Sequence, residues 1–600
     1  MSSRLVFALQ DALGRADVRG ADLIIFILQL LAWRKSTTSH AGLALPTIKQ
    51  TSDSPDVGRA LLKAFEDLVA AMGPNAAAFE LDIGLLRDLS SSSLGNALKI
   101  LSDIDEDHVN YPEAIDYCAE LGGLSETYGA IPDELADLAL RIAKIRDNDT
   151  VYCPFNCSYK LAAWANRYTR NVFIEPTTQS PLPFLLNILL DGSSKVRFSD
   201  PIANPAWYEG GQLQKFDVTL ANPPFGSRYS QTGIVDLYRR FPEQAFYGEV
   251  LQLRHILAQT KRRAIVFVAN GVLFRSTAGE RAFKQDIVKN GILRAVISLP
   301  PGLLSTAMVP ISMIVLDKDH ANSAITFIDA SSEDFVERIK GRVSRSTARH
   351  TLTNIDKIVD LFERPRQSSN SYVASIGECA DNEFNLLAGR YVLSGDSLRL
   401  DDLLKNRKTV QLGDIATVIR AQGLPKDGDG EGIEVGEVGS IDIAEDGSIS
   451  DVQKTVIVSD GNFQRLQKQK LLLKDGDIIV AIKGSVGKVG IVTGQLPKPM
   501  VPGQSYALIR PNPSGHLIHS VVLYHYLASR VGQALIQSRA SGVTVKMIQS
   551  RDLHALPVII PSAEEEAEIL KIRTDIQSLL KKIEAHKQEI EALRNKHWSI

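Results

Sequence analysis

Apolar residues recur at steps of three and four in the first part of the chain, as in Leu61, Leu62, Phe65, Leu68 and Val69. That period lines one face of a helix, and polar breaks such as Ser52 to Pro55 separate successive runs. Residues 1–123 are therefore predicted to form a helical bundle, and no catalytic constellation is visible in it. Between about Pro132 and Asp319 short apolar strands alternate with helices: Val151-Tyr152, Val172 to Ile174, Val218 to Leu220, Ala264 to Val268, Ala295 to Leu299 and Ile311 to Leu316. Such alternation implies a doubly wound α/β unit, a mostly parallel sheet with helices on both faces. In sheets of this kind ligands bind beyond the carboxyl ends of the strands. This unit is assigned to residues 124–365, and the polar patch Gln367 to Ser371 marks a linker assigned to residues 366–408.

From about Val410 the pattern becomes β-rich with turn glycines, as in Leu412-Gly413-Asp414, Asp475-Gly476-Asp477, Gly484, Gly487 and Gly490; this unit spans residues 409–561. Residues 562–600 form a charged helix in which Ile569, Ile572, Ile576, Leu579, Ile583, His586, Ile590 and Leu593 follow heptad spacing. A stripe of this kind is not buried by its own helix, so a coiled-coil partner is expected.

The chain has 600 residues, too many for one hydrophobic core. Its charge is close to balanced, 67 Lys and Arg against 70 Asp and Glu. That excludes a wholly basic coat protein but not a local DNA-binding surface. Arg338, Lys340, Arg342, Arg345, Arg349 and His350 form one basic stretch, either a DNA contact or a solvated face. Four cysteines are too few for a disulfide-stapled secreted protein of this length. Cys153 and Cys157 lack two further ligands at comparable spacing, so no metal site is expected. The N-terminus carries no signal-peptide pattern, and the apolar run Leu23 to Trp33 is shorter than the roughly 20 residues of a membrane span. A cytoplasmic protein without a membrane partner is expected.

The most specific chemical signal is Leu220-Ala221-Asn222-Pro223-Pro224-Phe225-Gly226, directly after an apolar strand. Two prolines stiffen the loop and end the strand. An exocyclic amine is a poor nucleophile because its lone pair is delocalised into the ring. An Asn oxygen and a Pro carbonyl accepting its two N–H groups turn that lone pair toward an incoming methyl and stabilise the charge that develops. A neighbouring aromatic ring can stack on the base once it has left the duplex. Asn222, Pro223, Pro224 and Phe225 supply these parts. A proline-stiffened loop with an Asn cap is the alternative for the four residues taken alone.

These residues, with Lys215-Phe216-Asp217 before them, resemble the N6-adenine DNA methyltransferases, in particular the modification subunits of type I restriction systems. Val266 to Phe274, Ile297 to Leu303 and Pro310-Ile311-Ser312 resemble later segments of the family in the same order. The resemblance covers roughly residues 125 to 320. It implies a Rossmann-like methyltransferase domain, S-adenosylmethionine as cofactor and double-stranded DNA as substrate. It also implies cofactor-binding roles for Pro132 in the lead-in Gly129 to Pro132, for Glu175 on the ribose, and for Asp200 at the cofactor's adenine. A helix cap or a surface charge is the alternative for each acid. The first motif departs from the family. An Asp-Pro and a glycine-rich turn are expected, and this chain has Cys153-Pro154-Phe155-Asn156-Cys157-Ser158-Tyr159. Cys153, Pro154 and Phe155 are thus the expected cofactor positions of an altered loop. A catalytically inactive DNA-recognition subunit is the competing reading.

Gln411 to Ile415, Leu473 to Val480, Lys483 to Gly490, an expected helix Leu523 to Leu535, Ser541-Gly542 and Asp552 to Pro557 resemble half of a type I specificity subunit. The resemblance implies a target-recognition domain, with Lys483 and Lys488 as phosphate contacts and base-reading loops near Ala421 to Asp429. One half-subunit implies that the terminal helix pairs with a second copy or with another subunit. No nuclease constellation is found, so cleavage would need a separate subunit.

Overall fold

The computed structural model describes residues 2–14, 20–39, 47–104, 109–121, 124, 126–229, 233–243, 247–304, 310–319, 322–338, 350–392, 404, 407–424, 432–449, 451–512, 518–540 and 547–595. The chain divides into two compact units, Met1–Val392 and Leu393–Ile600. Most of the basic stretch after Arg338, residues 425–429 of the expected base-reading loops, and Ser541-Gly542 lie outside the described residues.

The first unit is organised by a nine-stranded sheet. From one edge to the other its strands run Ser371–Ser375, Ala324–Asp329, Leu293–Ser298, Ile311–Asp317, Thr260–Ala269, Phe216–Ala221, Val151–Pro154, Val172–Glu175 and Lys195–Val196. Each predicted strand is present. The strands from Thr260–Ala269 to Lys195–Val196 are mutually parallel, as the strand–helix alternation requires. Ile311–Asp317 runs antiparallel between two neighbours, and Ser371–Ser375 is an antiparallel edge. The strands carry continuous apolar runs because both faces are covered. Ile265, Phe267 and Met313 face one core, while Ala264, Val266 and Ile314 face the other.

Two domain boundaries need correction. The Gln367 to Ser371 patch does not open a linker: the chain enters the edge strand at Ser371 and continues through a helix, Ile376–Asp381, within the first unit. Polar composition there reflects a tight Ser368–Ser371 turn rather than a joint between domains. Nor do residues 1–123 stand apart, since Leu9, Phe26, Leu61 and Ile115 belong to the same core as Val151, Ile174 and Ile265. The helix Ala21–Ser39 is buried from Leu23 to Trp33 apart from a half-buried Ile25. That accounts for an apolar run without helical periodicity. Among the described residues no helix is long and apolar enough to cross a membrane.

The second unit holds a five-stranded sheet in the order Ala416–Arg420, Tyr506–Pro511, Ile478–Ala481, Val489–Val492, Ser448–Ile449. A three-stranded sheet, Thr455–Val458, Ile433–Val438, Met500–Pro502, accompanies it. Gly476, at φ +82°, makes the turn into Ile478–Ala481. Asp477 beside it accepts from Lys474 N at 2.8 Å and from Arg510 Nε at 2.8 Å. The expected helix Leu523 to Leu535 is two helices, Ser520–Ala528 and Arg530–Arg539. Ser529 between them is extended, and its hydroxyl caps the second by accepting from Gly532 N. The unit ends in a 33-residue helix, Ala563–Asn595. Its inner face is anchored by Arg573, which donates to Asp446 O at 2.7 Å and lies 4.8 Å from the Tyr524 ring. The heptad residues Ile572, Ile576, Leu579, Ile583, Ile590 and Leu593 remain exposed.

A buried ion pair closes the first unit's sheet. Arg263 donates to Asp317 through Nε at 3.1 Å and Nη2 at 2.6 Å, and its Nη1 reaches Ile142 O at 2.9 Å. Burial opposes the charge on Asp317, but Arg263 outweighs it and holds the carboxyl below its usual range. Asp317→Ala leaves a guanidinium buried without its counter-ion. It is expected to cost about 3–5 kcal/mol in urea unfolding at neutral pH.

Candidate active site

The parallel strands Val151–Pro154 and Phe216–Ala221 are neighbours, so the loops at their carboxyl ends meet. Ser158 fastens them: its buried Oγ donates to Pro154 O at 2.6 Å and accepts from Asn222 N at 3.0 Å. Pro223 and Pro224 then carry the chain out with no N–H to satisfy. Pro224 O accepts from Gln252 Nε2 at 3.2 Å and from Ser227 Oγ at 3.1 Å, and Gly226 turns the loop at φ +70°. Asn222 is 4% exposed, and its Nδ2 reaches Cys157 O at 3.4 Å. Its Oδ1 is buried and has no hydrogen-bond partner among the described residues. An acceptor held in this way costs about 1–3 kcal/mol, so it marks a place where a donor belongs.

A cavity of about 790 Å³ opens at this loop. Asn222, Pro223, Pro224 and Phe225 line it together, beside Phe155, Asn156, Cys157 and Tyr159 of the first turn. Thr177 to Leu182, which follow the second strand, and Leu304 continue the wall. The N-terminal helical region contributes Asp22, Gln29, Glu80 and Asp82 with the apolar Ala21, Ile25 and Leu85, and Leu124, Glu126, Thr127 and Ala130 complete the wall. Sequence reasoning missed this last set because no motif marks it. Its side chains come together only through the shared core, and nothing in their local spacing signals it.

The first turn keeps a glycine-like shape without a glycine. Phe155 has φ +71°, a conformation costly for an ordinary residue, and it is buried in the core that also holds Ile202 and Ala221. Packing of the ring offsets the strained backbone. Cys153 is fully buried, and burial pushes its thiol well above the usual range. Cys157 Sγ donates to Glu126 O at 3.2 Å, with its pKa pushed up to about 11 by burial. Among the described residues no group of metal-ligating side chains gathers.

The other expected cofactor residues take structural partners. Pro132 O accepts from Leu135 N and Ala136 N at the start of the helix Asp133–Ala143. Asp200 Oδ1 accepts from Ile202 N at 2.9 Å and closes a turn. Glu175 is fully buried: Oε2 accepts from Tyr152 at 2.5 Å and Oε1 from Ala206 N at 2.5 Å. Pro132, Cys153, Pro154, Glu175 and Asp200 are not among the residues lining the cavity.

Behind Glu175 runs a buried polar chain. Arg240 Nη1 meets His255 Nδ1 at 2.8 Å, and His255 Nε2 meets the Tyr152 hydroxyl at 3.0 Å. Arginine only donates, so Nδ1 is the acceptor and Nε2 carries the proton. The hydroxyl then accepts from His255 and donates to Glu175. Burial, then the Arg240 charge, hold His255 neutral. Burial pushes Glu175 up to about 7, against the hydrogen bonds from Tyr152 and Ala206.

In the second unit Lys483 lines a cleft of about 490 Å³ and is exposed, whereas Lys488 Nζ is engaged by Ser440.

Comparison with known proteins adds three findings. Residues 182–398 match the N-6 DNA Methylase family, and residues 405–594 match the Type I restriction modification DNA specificity domain. The altered first turn lies upstream of the first match. The type I restriction enzyme MpnII methylase subunit of Mycoplasma pneumoniae is 29% identical over 192 residues, 30% of this chain and 34% of that protein. The type I restriction enzyme MjaVII methylase subunit of Methanocaldococcus jannaschii is 27% identical over 241 residues, 37% of this chain and 40% of that protein. The matches thus span well under half the length of these relatives. The type I restriction-modification methyltransferase subunit of Streptococcus thermophilus superposes with a TM-score of 0.55 at 18% identity, over 65% of this chain and 99% of that one. At that identity the likeness establishes a shared fold.

The raised pKa of Glu175 has a definite sign. The folded protein retains a proton there that the unfolded chain releases, so stability is lost as pH rises from the ordinary carboxylate range through about 7. A Glu175→Gln variant has some fixed offset from the wild type. Its stability relative to the wild type should nonetheless improve between about pH 5 and pH 8, measured by urea unfolding at both. A pH-independent difference would contradict the burial argument.

Proposed function

We propose that this chain, an N-6 DNA methylase domain joined to a type I DNA specificity domain, is an adenine-N6 DNA methyltransferase of a restriction-modification system. The observation that carries the reading is the Asn222 Oδ1 atom, buried and without a donor among the described residues, on a residue that lines the cavity. A flipped adenine supplies the missing donor through one N6–H. The Pro223 carbonyl accepts the other, and Phe225 stacks on the ring. The two acceptors turn the amine lone pair outward and stabilise positive charge as it forms on nitrogen. The two prolines make the loop rigid, so little reorganisation accompanies the reaction.

The cavity fits S-adenosylmethionine by the chemistry of its wall. Asp22, Glu80, Asp82 and Glu126 face a cofactor that carries an ammonium and a sulfonium. The hydroxyls of Thr177, Thr178 and Ser180 and the apolar Phe155, Leu182 and Leu304 suit its sugar and ring. When bound, the cofactor supplies an electrophilic methyl group. Glu175 and Asp200 serve this site from behind by fixing the strand ends, given the partners they already hold.

DNA is held by the second unit, with Lys483 as a phosphate contact; Lys488 braces the loop that presents it. The exposed heptad stripe of the terminal helix joins a second copy or another subunit of the assembly.

Incubating the chain with duplex DNA and methyl-labelled S-adenosylmethionine is expected to place label in N6-methyladenine. Asn222→Ala should lower turnover at least about 100-fold without lowering the unfolding midpoint, since it removes an unpaired buried acceptor. Absence of labelled adenine from protein that binds both DNA and cofactor would overturn the reading. A Leu579→Lys, Ile583→Lys double variant should shift the assembly to a smaller species in sedimentation, since both side chains lie on the exposed stripe.

A further inference from the structure

Between the target loop and the helix Gly248–Gln259 the chain makes an excursion whose middle, residues 233–243, is described. Its inward and outward side chains alternate. Ile234 and Phe241 pack against the core that contains Phe155 and Ala221, the residues flanking the first turn and the target loop. Asp236 also turns in: Oδ1 accepts from Arg240 Nε at 3.0 Å, and Oδ2 accepts from Phe241 N at 3.0 Å and from Arg240 N. Arg240, with its side chain 1% exposed, donates to Pro201 O at 2.8 Å and Ile202 O at 2.7 Å. The excursion is therefore fixed at its base by buried, charge-assisted bonds.

Against that fixed base, Val235 and Leu237 point outward at 76% and 77% exposure, the highest of any large apolar side chain among the described residues. Burying either would be worth about 1.5–3 kcal/mol, so a loop held this firmly leaves a favourable contact unmade. The tip lies ten to twelve residues after Phe225. The two ends of the excursion meet beside the target loop, where Gly248 N donates to Ser227 O at 2.9 Å, and its base packs on the core that holds Ala221. Arg239, exposed beside the tip, adds a positive charge.

We propose that Val235 and Leu237 form an apolar wedge that enters the duplex where the target adenine has left the stack. This rests on the adenine methyltransferase reading, which requires the base to leave the helix. A vacated step between stacked bases is flat, apolar and bordered by phosphates. Aliphatic side chains inserted between base steps are an established way to hold such a distortion. The wedge fills the gap, Arg239 meets the backbone, and the anchored Asp236–Arg240 base transmits the load to the core behind Asn222.

The test uses Val235→Ala, Leu237→Ala and the double variant in the full chain. Their exposure predicts unchanged unfolding midpoints. Methyl transfer is measured on a matched duplex and on one whose target adenine faces an abasic site, where unstacking is already easy. In parallel, 2-aminopurine at the target position reports base extrusion by fluorescence. The double variant should lose about tenfold or more on the matched duplex, change less than about twofold on the abasic-opposed one, and fail to raise 2-aminopurine fluorescence. Equal losses on both duplexes, with extrusion intact, would overturn the wedge and assign the patch to a protein subunit. Unchanged rates on both would overturn it as well. Should the wild type transfer no methyl at all, the methyltransferase reading falls, and the fluorescence change still decides the wedge by itself.

Discussion

The Ser158 hydroxyl is the small contact on which the site rests. By donating to the carbonyl that ends one parallel strand and accepting from the first N–H beyond its neighbour, it fixes the separation and angle of the two strand-end loops. A single hydroxyl can satisfy both groups because it is donor and acceptor at once. With the backbone of Asn222 set in this way and its Nδ2 directed at Cys157 O, the side-chain oxygen has no freedom to find another partner. Preorganisation of the acceptor follows from backbone geometry, and the prolines keep it from relaxing.

A second constraint acts from below. The line Arg240, His255, Tyr152, Glu175 is a buried hydrogen-bond chain in which each donor–acceptor role is forced by the one before it. It couples the first strand, the second strand, the helix after the target loop and the base of the excursion carrying Val235 and Leu237. Burying a carboxylate there raises its pKa to about 7, so the chain is held at some expense in stability. What it secures is the relative position of the strand ends, the one dimension that a ligand bridging them requires.

The altered first turn shows how a backbone shape can persist through a change of residue. Glycine is the usual solution for a positive φ because it lacks a Cβ. Phe155 adopts the same region and offsets the strain by burying its ring in the core beneath the target loop. The position where an acid was expected, Cys153, is withdrawn into the core, and Phe155 lines the cavity two residues on. Carboxylates on the cavity wall come instead from Asp22, Glu80, Asp82 and Glu126.

Periodicity and motif order sufficed for the strands, their parallel arrangement, the strand-end loop Asn222 to Phe225 and the heptad helix, because each is encoded by residues close in sequence. The β period, the double proline and the seam spacing are local properties and survive without coordinates. Other features depended on distant parts of the chain meeting. The inward turn of Glu175 was decided by Tyr152 and Ala206, which lie far from it in sequence. The edge strand Ser371–Ser375 read as a linker because its polar residues gain their meaning only from the Ala324–Asp329 strand beside it. The carboxylates on the cavity wall carry no motif at all. Sequence determined which segments are candidates for chemistry, and tertiary structure decided which of their side chains are already engaged and which, like Asn222 Oδ1, have no partner among the described residues.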